Sequence, residues 1–266
     1  MSIVIKTADE IEKMRAAGKL AADVLEMIAP FVKAGVTTNE LNDICAKYTE
    51  EQGAISAPLN YHGFPKSICT SVNEVICHGI PSDQPLKDGD ILNIDITVIK
   101  DGYHGDTSKM FFIGDVSPKD KRLCRIAQES LYAAIRKVRP GMKLGEIGAT
   151  IEKVVKGAKT GLEKYSIVRD YCGHGIGATF HEEPQVVHYK NTDNTLLRPG
   201  MCFTIEPMIN AGRHQTVLDK DDGWTVTTID GKNSAQYEHT LLVTETGVEV
   251  LTLRSEEDFP RIINHK

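Results

Sequence analysis

The chain lacks a long apolar run, a run of basic residues and a C-x-x-C pair among its six cysteines. No stretch approaches the length of a membrane span, so no membrane association is expected. The formal net charge is -6, which argues against nucleic-acid binding. The first 13 residues carry acidic side chains and no apolar signal core. These absences predict a cytoplasmic protein with reduced thiols.

Capping residues and the helical spacing of apolar residues predict four helices. The first three are predicted to start at the capping box Thr7–Glu10, near Thr37 and at Ser117-Pro118, and the fourth carries Ile147, Ile151, Val154 and Val155. The first three are predicted to end at Pro30, before Gly53 and at Pro140-Gly141. The order of elements, helices followed by strands, occurs twice.

Stretches rich in β-branched residues predict the strands. They are Ile91–Ile99, Phe111–Ile113, Met201–Ile209 and Tyr237–Val243. Asp101-Gly102 is a strong signal for a hairpin turn. The stretch Asn210–Gln236 is predicted to form one or two hairpins that project from the main sheet.

Three short motifs recur in the same order and at similar offsets. The pairs are Val32–Val36 with Val138–Met142, His78–Ile80 with His174–Ile176, and Lys87–Gly89 with Arg198–Gly200. They suggest an internal duplication, with chance similarity of turn motifs as the alternative. The length of 266 residues suits one large domain. We predict a single catalytic domain, 1-266, with pseudo-symmetric halves of about 1-115 and 116-266.

The duplication places Asp95 and Glu206 at equivalent positions, each at the end of an apolar strand. Burial of such a carboxylate is unfavourable unless it is paired or binds a metal. If Asp101-Gly102 is a two-residue loop, Asp95 faces Ser108. Asp106 then lies diagonally from Asp95, roughly 7–8 Å away between Cα atoms. These two carboxylates could therefore converge on shared ions.

Two further candidate ligands enter or flank apolar strands. Glu238 precedes one strand, and glycines on both sides of His174 leave room for a ligand or for backbone. With Asp95, Asp106 and Glu206 they form a mainly oxygen site, which suits Mn, Fe or Co and tolerates Zn. Four carboxylates cannot stay ionised together without cations. Two divalent ions roughly 3.5–4 Å apart would neutralise them and hold a bridging hydroxide.

Each of these residues has a plainer interpretation. Asp106 could cap Thr107 locally, Glu206 could be a surface charge, and His174 could be a structural histidine. Their joint occurrence at repeat-related positions favours the metal site.

With these residues identified, the sequence resembles the type I methionine aminopeptidases of the short bacterial kind over essentially the whole chain. The motifs that carry the resemblance are Tyr61–Ser67, Cys77–Pro81, Asn93–Asp95, His104–Thr107, Tyr171–Gly177, Phe180–Pro184, Thr204–Pro207 and Gln236–Thr240. Two positions depart from the bacterial pattern: Pro58 stands where cysteine is common, and Phe64 where tyrosine is common.

The resemblance implies an α+β fold of the pita-bread type, a curved antiparallel β-sheet backed by two helix pairs with internal pseudo-twofold symmetry. It implies metal ligands at Asp95, Asp106, His174, Glu206 and Glu238, with Asp106 and Glu238 bridging two ions. It implies catalytic roles for His78, His181 and Glu206. The implied substrate-binding residues are His78, Tyr61, Phe64, Cys69, Phe180, His181 and Trp224. A monovalent cation, Na or K, is implied at Asn73, Val75 and Ser234.

The implied activity is removal of the N-terminal (initiator) methionine from nascent proteins and peptides, with a small second residue preferred. The cofactors would be two divalent ions, Co, Mn, Fe or Zn. A monomer in transient contact with the ribosome is expected. The alternatives are a related peptidase that acts on proline peptides, which usually carries an extra amino-terminal domain, and a catalytically inactive binding protein on the same fold. His181 has its own alternative, a surface histidine paired with a neighbouring carboxylate.

Overall fold

The computed structural model describes residues 2–158 and 164–265. Its helices are α1 Ala8–Ile28, α2 Thr38–Glu51, α3 Pro118–Ile135 and α4 Gly145–Gly157, with 3₁₀ turns at Ala29–Phe31 and Tyr61–Gly63. The predicted capping box on Thr7 begins α1, and α2 begins at the predicted start near Thr37, which forms a second capping box. None of the helices in these two ranges has both the length and the apolar character that a membrane span requires.

The predicted end of α3 at Pro140-Gly141 is wrong, because the helix ends at Ile135. The next residues tighten into turns, in which Val138 donates its N–H to the carbonyl of Ile135 at 3.0 Å. The chain has to leave the helix here because Gly141 donates to the carbonyl of Leu197 at 2.9 Å.

The first half contributes the strands β1 Ile55–Ser56, β2 Cys69–Val72, β3 Val75–Cys77, β4 Ile91–Lys100 and β5 Tyr103–Phe112. Strands β4 and β5 form a long antiparallel hairpin against which α1 packs. Its loop is Asp101-Gly102, with φ values of 51° and 79°, the left-handed geometry of a two-residue hairpin turn. The predicted loop, with Asp95 opposite Ser108, is confirmed.

The second half contributes β6 Ser166–Ile167, β7 Gly173–Gly175, β8 Glu182–Val186, β9 Cys202–Ile205, β10 Met208–Asn210, β11 Thr216–Leu218, β12 Val226–Thr228, β13 Ser234–Gln236, β14 His239–Val243, β15 Gly247–Val250 and β16 Ile262–Asn264. Six of them form an antiparallel sheet in the order β16-β15-β14-β9-β7-β8. Of the one or two hairpins predicted for Asn210–Gln236, the structure has one, β11–β12, which pairs with β3.

One predicted strand is divided in the structure and another is shortened. Met201–Ile209 is interrupted at Glu206-Pro207, between β9 and β10, and Tyr237–Val243 begins as a strand only at His239, after the break that follows β13. Proline has no N–H to donate to a ladder, which accounts for the first break. Both breaks place a candidate ligand, Glu206 or Glu238, outside the regular ladder.

Each helix pair covers its own hydrophobic core. The first core packs α1 and α2 on β4 through residues such as Leu25, Leu41 and Ile94. The second packs α3 and α4 mainly on strands such as β9 and β14, through residues such as Leu131, Phe203 and Leu241. The expected α+β architecture, antiparallel sheet backed by two helix pairs, is confirmed.

Equivalent turns in the two halves support the internal repeat. Gly35 donates to the carbonyl of Leu86 at 2.8 Å, and Gly141 donates to that of Leu197 at 2.9 Å. The two glycines share the left-handed conformation, with φ values of 88° and 79°. The division at about residue 115 stays a prediction.

Candidate metal centre

The structure brings all five predicted ligands to one cavity of about 430 Å³. Asp95 lies on β4, Asp106 on β5 and His174 on β7, while Glu206 follows β9 and Glu238 precedes β14. The Nε2 atom of His174 lies 3.6 Å from Oδ2 of Asp106 and 3.6 Å from Oε1 of Glu206. Ligand atoms of Asp106, His174 and Glu238 all lie within 4.8 Å of one another. This spacing is close enough for shared ions.

The register of the β4–β5 hairpin positions the two aspartates. Asp95 pairs with Ser108, and Asp106 pairs with Thr97, which lies two residues after Asp95 on the same face of β4. This register confirms the predicted diagonal placement. Thr97 Oγ1 donates to Oδ1 of Asp106 at 2.8 Å. The sequence reasoning did not identify Thr97, although the same register argument placed it opposite Asp106.

Glu206 points into the cavity, so its interpretation as a surface charge is wrong. Thr204 Oγ1 donates to one carboxylate oxygen at 2.8 Å, and Gln236 Nε2 donates to the other at 3.2 Å. The backbone N–H of Glu206 donates to Nε2 of the buried His188 at 3.1 Å. Thr204 lies two residues earlier, on the same face of the strand. Nothing in the sequence pointed to His188.

Backbone, rather than a ligand, approaches the glycines beside His174. A Cβ on Gly173 would lie 2.5 Å from the carbonyl oxygen of Thr204, and one on Gly175 only 2.1 Å from that of Glu183. His174 Nδ1 lies 2.9 Å from the carbonyl oxygen of Gly175, which accepts its proton. The Nε2 lone pair is thereby directed to the carboxylates, as in histidines that bind metals.

The electrostatics of the cluster fit divalent cations. Burial, with the charges of Asp106 and Glu206, raises the pKa of Asp95 well above its usual range, and burial does the same for the pKa of Glu238. Burial raises the pKa of Glu206 to about 7. Oδ1 of Asp95 is buried and has no hydrogen-bond partner among the described residues. Cations would relieve both the repulsion and the unpaired oxygen.

The pKa of His174 is raised above its usual value. Burial by itself would lower this pKa, but the interaction with Asp106 and the charge of Glu206 outweigh burial. This is the response of an imidazole surrounded by carboxylates.

The predicted substrate residues line the same cavity. They are Tyr61, Phe64, Cys69, His78, Phe180, His181 and Trp224, and Pro58 lies beside them. The Phe64 and Trp224 rings meet edge to face at 5.2 Å, and Tyr61 and Phe180 lie 4.9 Å apart. The cavity therefore has an aromatic, apolar wall next to the acidic cluster.

His181 reaches solvent through the cavity, and its ring lies 4.2 Å from that of His174. Its Nδ1 lies 2.7 Å from the Tyr61 hydroxyl oxygen, while Glu182 is bonded to Lys6 instead. The carboxylate pairing in the alternative interpretation is therefore wrong, although the residue is exposed as that interpretation supposed. Burial, assisted by His174, lowers the pKa of His181 to about 4. The imidazole is neutral at pH 7.

His78 follows β3 in a left-handed conformation, with a φ of 56°. Such a conformation is disfavoured for a residue other than glycine and is concentrated at functional sites. The imidazole lies 5.4 Å from the Tyr171 ring and 6.0 Å from the Trp224 ring, measured between centroids. Burial lowers the pKa of His78.

The residues expected to hold a monovalent cation lie on adjoining backbone segments. Ser234 donates its N–H to the carbonyl of Asn73 at 2.9 Å, and Val75 begins the neighbouring strand β3. Asn73 has a φ of 53° and bonds Asp90 through its side-chain amide at 2.8 Å. The cation itself stays a prediction.

Known proteins resemble this chain in sequence and architecture. The sequence model of metallopeptidase family M24 matches residues 12–245. The chain is 60% identical over 268 aligned residues to the methionine aminopeptidase of Escherichia coli (strain K12), covering 100% of this chain and 99% of the relative. It also resembles the crystal structure of methionine aminopeptidase from Rickettsia prowazekii, with 54% identity, a TM-score of 0.91, and 95% and 100% of the two chains covered.

A prolidase from Pyrococcus furiosus is 24% identical, with a TM-score of 0.74 over 95% of this chain and 66% of that one. This likeness concerns the fold alone. The chain therefore belongs to metallopeptidase family M24 and, within it, to the methionine aminopeptidases.

Proposed function

We propose that this protein hydrolyses the bond after an N-terminal methionine, and so removes the initiator methionine from nascent proteins and peptides. The observation that carries the proposal is the convergence of four carboxylates and His174 beside an aromatic pocket in one cavity. The full-length identity of 60% to the Escherichia coli methionine aminopeptidase supports the same substrate.

Asp95, Asp106, His174, Glu206 and Glu238 would hold two divalent cations. Co, Mn, Fe and Zn all suit a site that consists mainly of oxygen ligands. When bound, the cations would supply counter-charge, an activated water and polarisation of the scissile carbonyl.

The remaining steps belong to side chains of the cavity. Glu206, oriented by Thr204 and Gln236, would accept a proton from the attacking water. His181 is neutral, and Tyr61 can donate to its Nδ1. Its Nε2–H would then be free to stabilise the developing oxyanion. His78 would hydrogen-bond near the scissile nitrogen.

The apolar part of the cavity would hold the methionine side chain. Tyr61, Phe64 and Trp224 offer ring edges and faces, with which a thioether sulfur makes favourable contacts. Phe64 stands where tyrosine is common in the bacterial pattern. It is 2% exposed and packs against Trp224, and because it has no hydroxyl this wall of the cavity is apolar. A small second residue is the preference that the family resemblance implies.

The decisive experiment uses metal-depleted protein and a Met-Ala peptide. We expect no turnover without metal and recovery as Mn²⁺, Fe²⁺ or Co²⁺ is added stepwise. An N-acetylated Met-Ala peptide should stay intact, and Met-Lys should be cut poorly. Release of proline-linked residues with methionine left in place would favour the alternative peptidase. Full activity in verified metal-free protein would contradict the two-metal mechanism.

The same activity defines where the protein would act. Nascent chains that carry an initiator methionine are made in the cytoplasm, so we place the protein there. A monomeric state and a transient contact with the ribosome stay predictions. The inactive-binding-protein alternative predicts that the loaded protein binds Met-Ala without cleaving it.

A further inference from the structure

A buried arginine lies directly behind the candidate metal centre. Arg254, in the segment after β15, is 2% exposed. Its Nη1 donates to the hydroxyl of Thr107 at 2.8 Å. The Thr107 hydroxyl in turn donates to the backbone carbonyl of Glu238 at 2.7 Å. A hydroxyl has one proton to donate, so these two bonds fix its orientation.

Thr107 connects the parts of the chain that carry two of the candidate ligands. It follows Asp106 on β5 and is fully buried, and alternation along the strand turns its side chain away from the cavity. Glu238 also donates its backbone N–H to the carbonyl of Ser108 at 3.1 Å. The backbone of Glu238 is therefore attached to β5 through both its N–H and its carbonyl.

Arg254 is itself held in place by an ionic network. Its Nη2 lies 3.0 Å from Oε1 of Glu257, which also lies 3.0 Å from Nε2 of His239. His239 is the residue after Glu238, so the network fixes the chain on the far side of this carboxylate as well. A lysine could not bond Thr107 and Glu257 together in the same way, because it lacks the planar fork of arginine.

We propose that Thr107 and Arg254 are positioning residues of the metal centre, which fix Glu238 beside Asp106 so that both carboxylates can serve the same ions. The inference rests on the proposed function, because it assumes that these two residues bind metal. Neither Thr107 nor Arg254 contacts the substrate cavity. Their effect would therefore be on metal affinity, and on turnover only through the metal.

The test compares Thr107→Val with Thr107→Ser by titrating the metal-depleted proteins with Mn²⁺ alone and following free Mn²⁺ by electron paramagnetic resonance. Valine keeps the shape of threonine and removes the hydroxyl, whereas serine keeps the hydroxyl. Loss of a partner that orients metal ligands typically weakens affinity by about 10- to 100-fold. We expect that loss for Thr107→Val, and an affinity close to that of the unchanged protein for Thr107→Ser.

A folded Thr107→Val protein that binds Mn²⁺ as tightly as the unchanged protein would overturn the inference, even if its unfolding midpoint fell. If Thr107→Val does not fold, the Mn²⁺ affinity of Arg254→Lys is the test instead. Lysine keeps the positive charge but cannot bond Thr107 and Glu257 together, so an unchanged affinity would again overturn the inference. Failure of the unchanged protein to bind any of Mn²⁺, Fe²⁺, Co²⁺ and Zn²⁺ would instead contradict the two-metal site on which the proposed function rests. The two failures are therefore distinguishable.

Discussion

Among the single residues of the site, His181 depends most on its hydrogen-bond partner. Its Nδ1 lies 2.7 Å from the Tyr61 hydroxyl oxygen, and burial lowers its pKa to about 4. A neutral imidazole that accepts from tyrosine has one N–H left, on Nε2. That N–H is the group available to an oxyanion formed in the cavity.

We therefore expect His181→Ala to lower kcat by about 10²–10³-fold, or about 2.7–4 kcal/mol, which is typical for the loss of one oxyanion donor. KM and metal content should change little, because His174 rather than His181 is the proposed ligand. Steady-state kinetics on Met-Ala, with metal analysis of the same samples, checks both statements. His265→Ala, outside the cavity, is the matched control. An unchanged kcat would return His181 to a surface role, and loss of a metal would mean that the two histidines were assigned the wrong way round.

Most residues of the candidate site could be predicted from the sequence. Asp95 and Glu206 were recognisable from the repeat, and Asp106 from the hairpin register, because short motifs and their spacing can be read directly from the sequence. The partners that orient them were harder to find. His188 bonds the backbone of Glu206 from 18 positions away, and Arg254 reaches Thr107 across 147 positions. Such contacts depend on how sheets pack, which no local pattern encodes.

Among the elements, helix starts were predicted better than the ends of helices and strands. A capping box is a local signal, and the box predicted at Thr7 is present, as is the helix start predicted near Thr37. The end of α3 is set instead by the pairing of Gly141 with Leu197, a tertiary contact. The strand breaks at Glu206 and Glu238 also depend on tertiary structure. At each break the chain leaves the regular ladder, and the carboxylate side chain lines the cavity.

The segment before α1 is fixed to the loop that carries His181. Lys6 Nζ lies 2.6 Å from Oε2 of Glu182, and the two side chains are only 1% and 12% exposed. The other Glu182 oxygen accepts the N–H of Thr179 at 3.2 Å. The ion pair also packs on Gly177, where a Cβ would lie 2.5 Å from Nζ of Lys6. The amino-terminal segment therefore supports the loop from behind.

We predict that Lys6→Met lowers the free energy of unfolding by about 3–5 kcal/mol, because it leaves the carboxylate of Glu182 buried and unpaired. The double variant Lys6→Met with Glu182→Met should recover most of that loss, since apolar replacement of a buried pair is often neutral. Urea unfolding followed by circular dichroism measures both. Lys19→Met, which breaks an exposed pair with Asp23, should leave the unfolding midpoint nearly unchanged. Equal stability of Lys6→Met and the unchanged protein would contradict the supporting role.

For the whole molecule, the two predicted halves meet at the candidate metal centre and in the network behind it. Asp95 and Asp106 come from the first half, and His174, Glu206 and Glu238 from the second. Thr107 and Arg254 likewise come from different halves, and their hydrogen bond joins β5 to the segment after β15. The duplicated motifs indicated that two halves would face each other, but not that a buried arginine would link them.

Glu257 should make the stability of the whole molecule depend on pH. Burial by itself would raise the pKa of Glu257, but His239 and Arg254 outweigh burial and hold it well below its usual range. A group with a depressed pKa in the folded state stabilises the protein above its unfolded pKa, about 4.3 for glutamate. That contribution is lost as the pH falls below this value toward the depressed folded pKa.

We therefore expect Glu257→Gln to destabilise the metal-free protein by about 3–5 kcal/mol at pH 7, where Arg254 loses its buried partner. The difference from the unchanged protein should be constant down to about pH 5 and should shrink as the pH falls below about 4.3. Urea unfolding of both proteins at a series of pH values gives this difference directly. Glu256→Gln is the control, because Glu256 is 44% exposed although it also contacts Arg254; its effect should be much smaller. A difference between Glu257→Gln and the unchanged protein that stays constant through the acid range would mean that folding does not depress the pKa of Glu257. The ion pair with Arg254 would then contribute nothing to the pH dependence of stability.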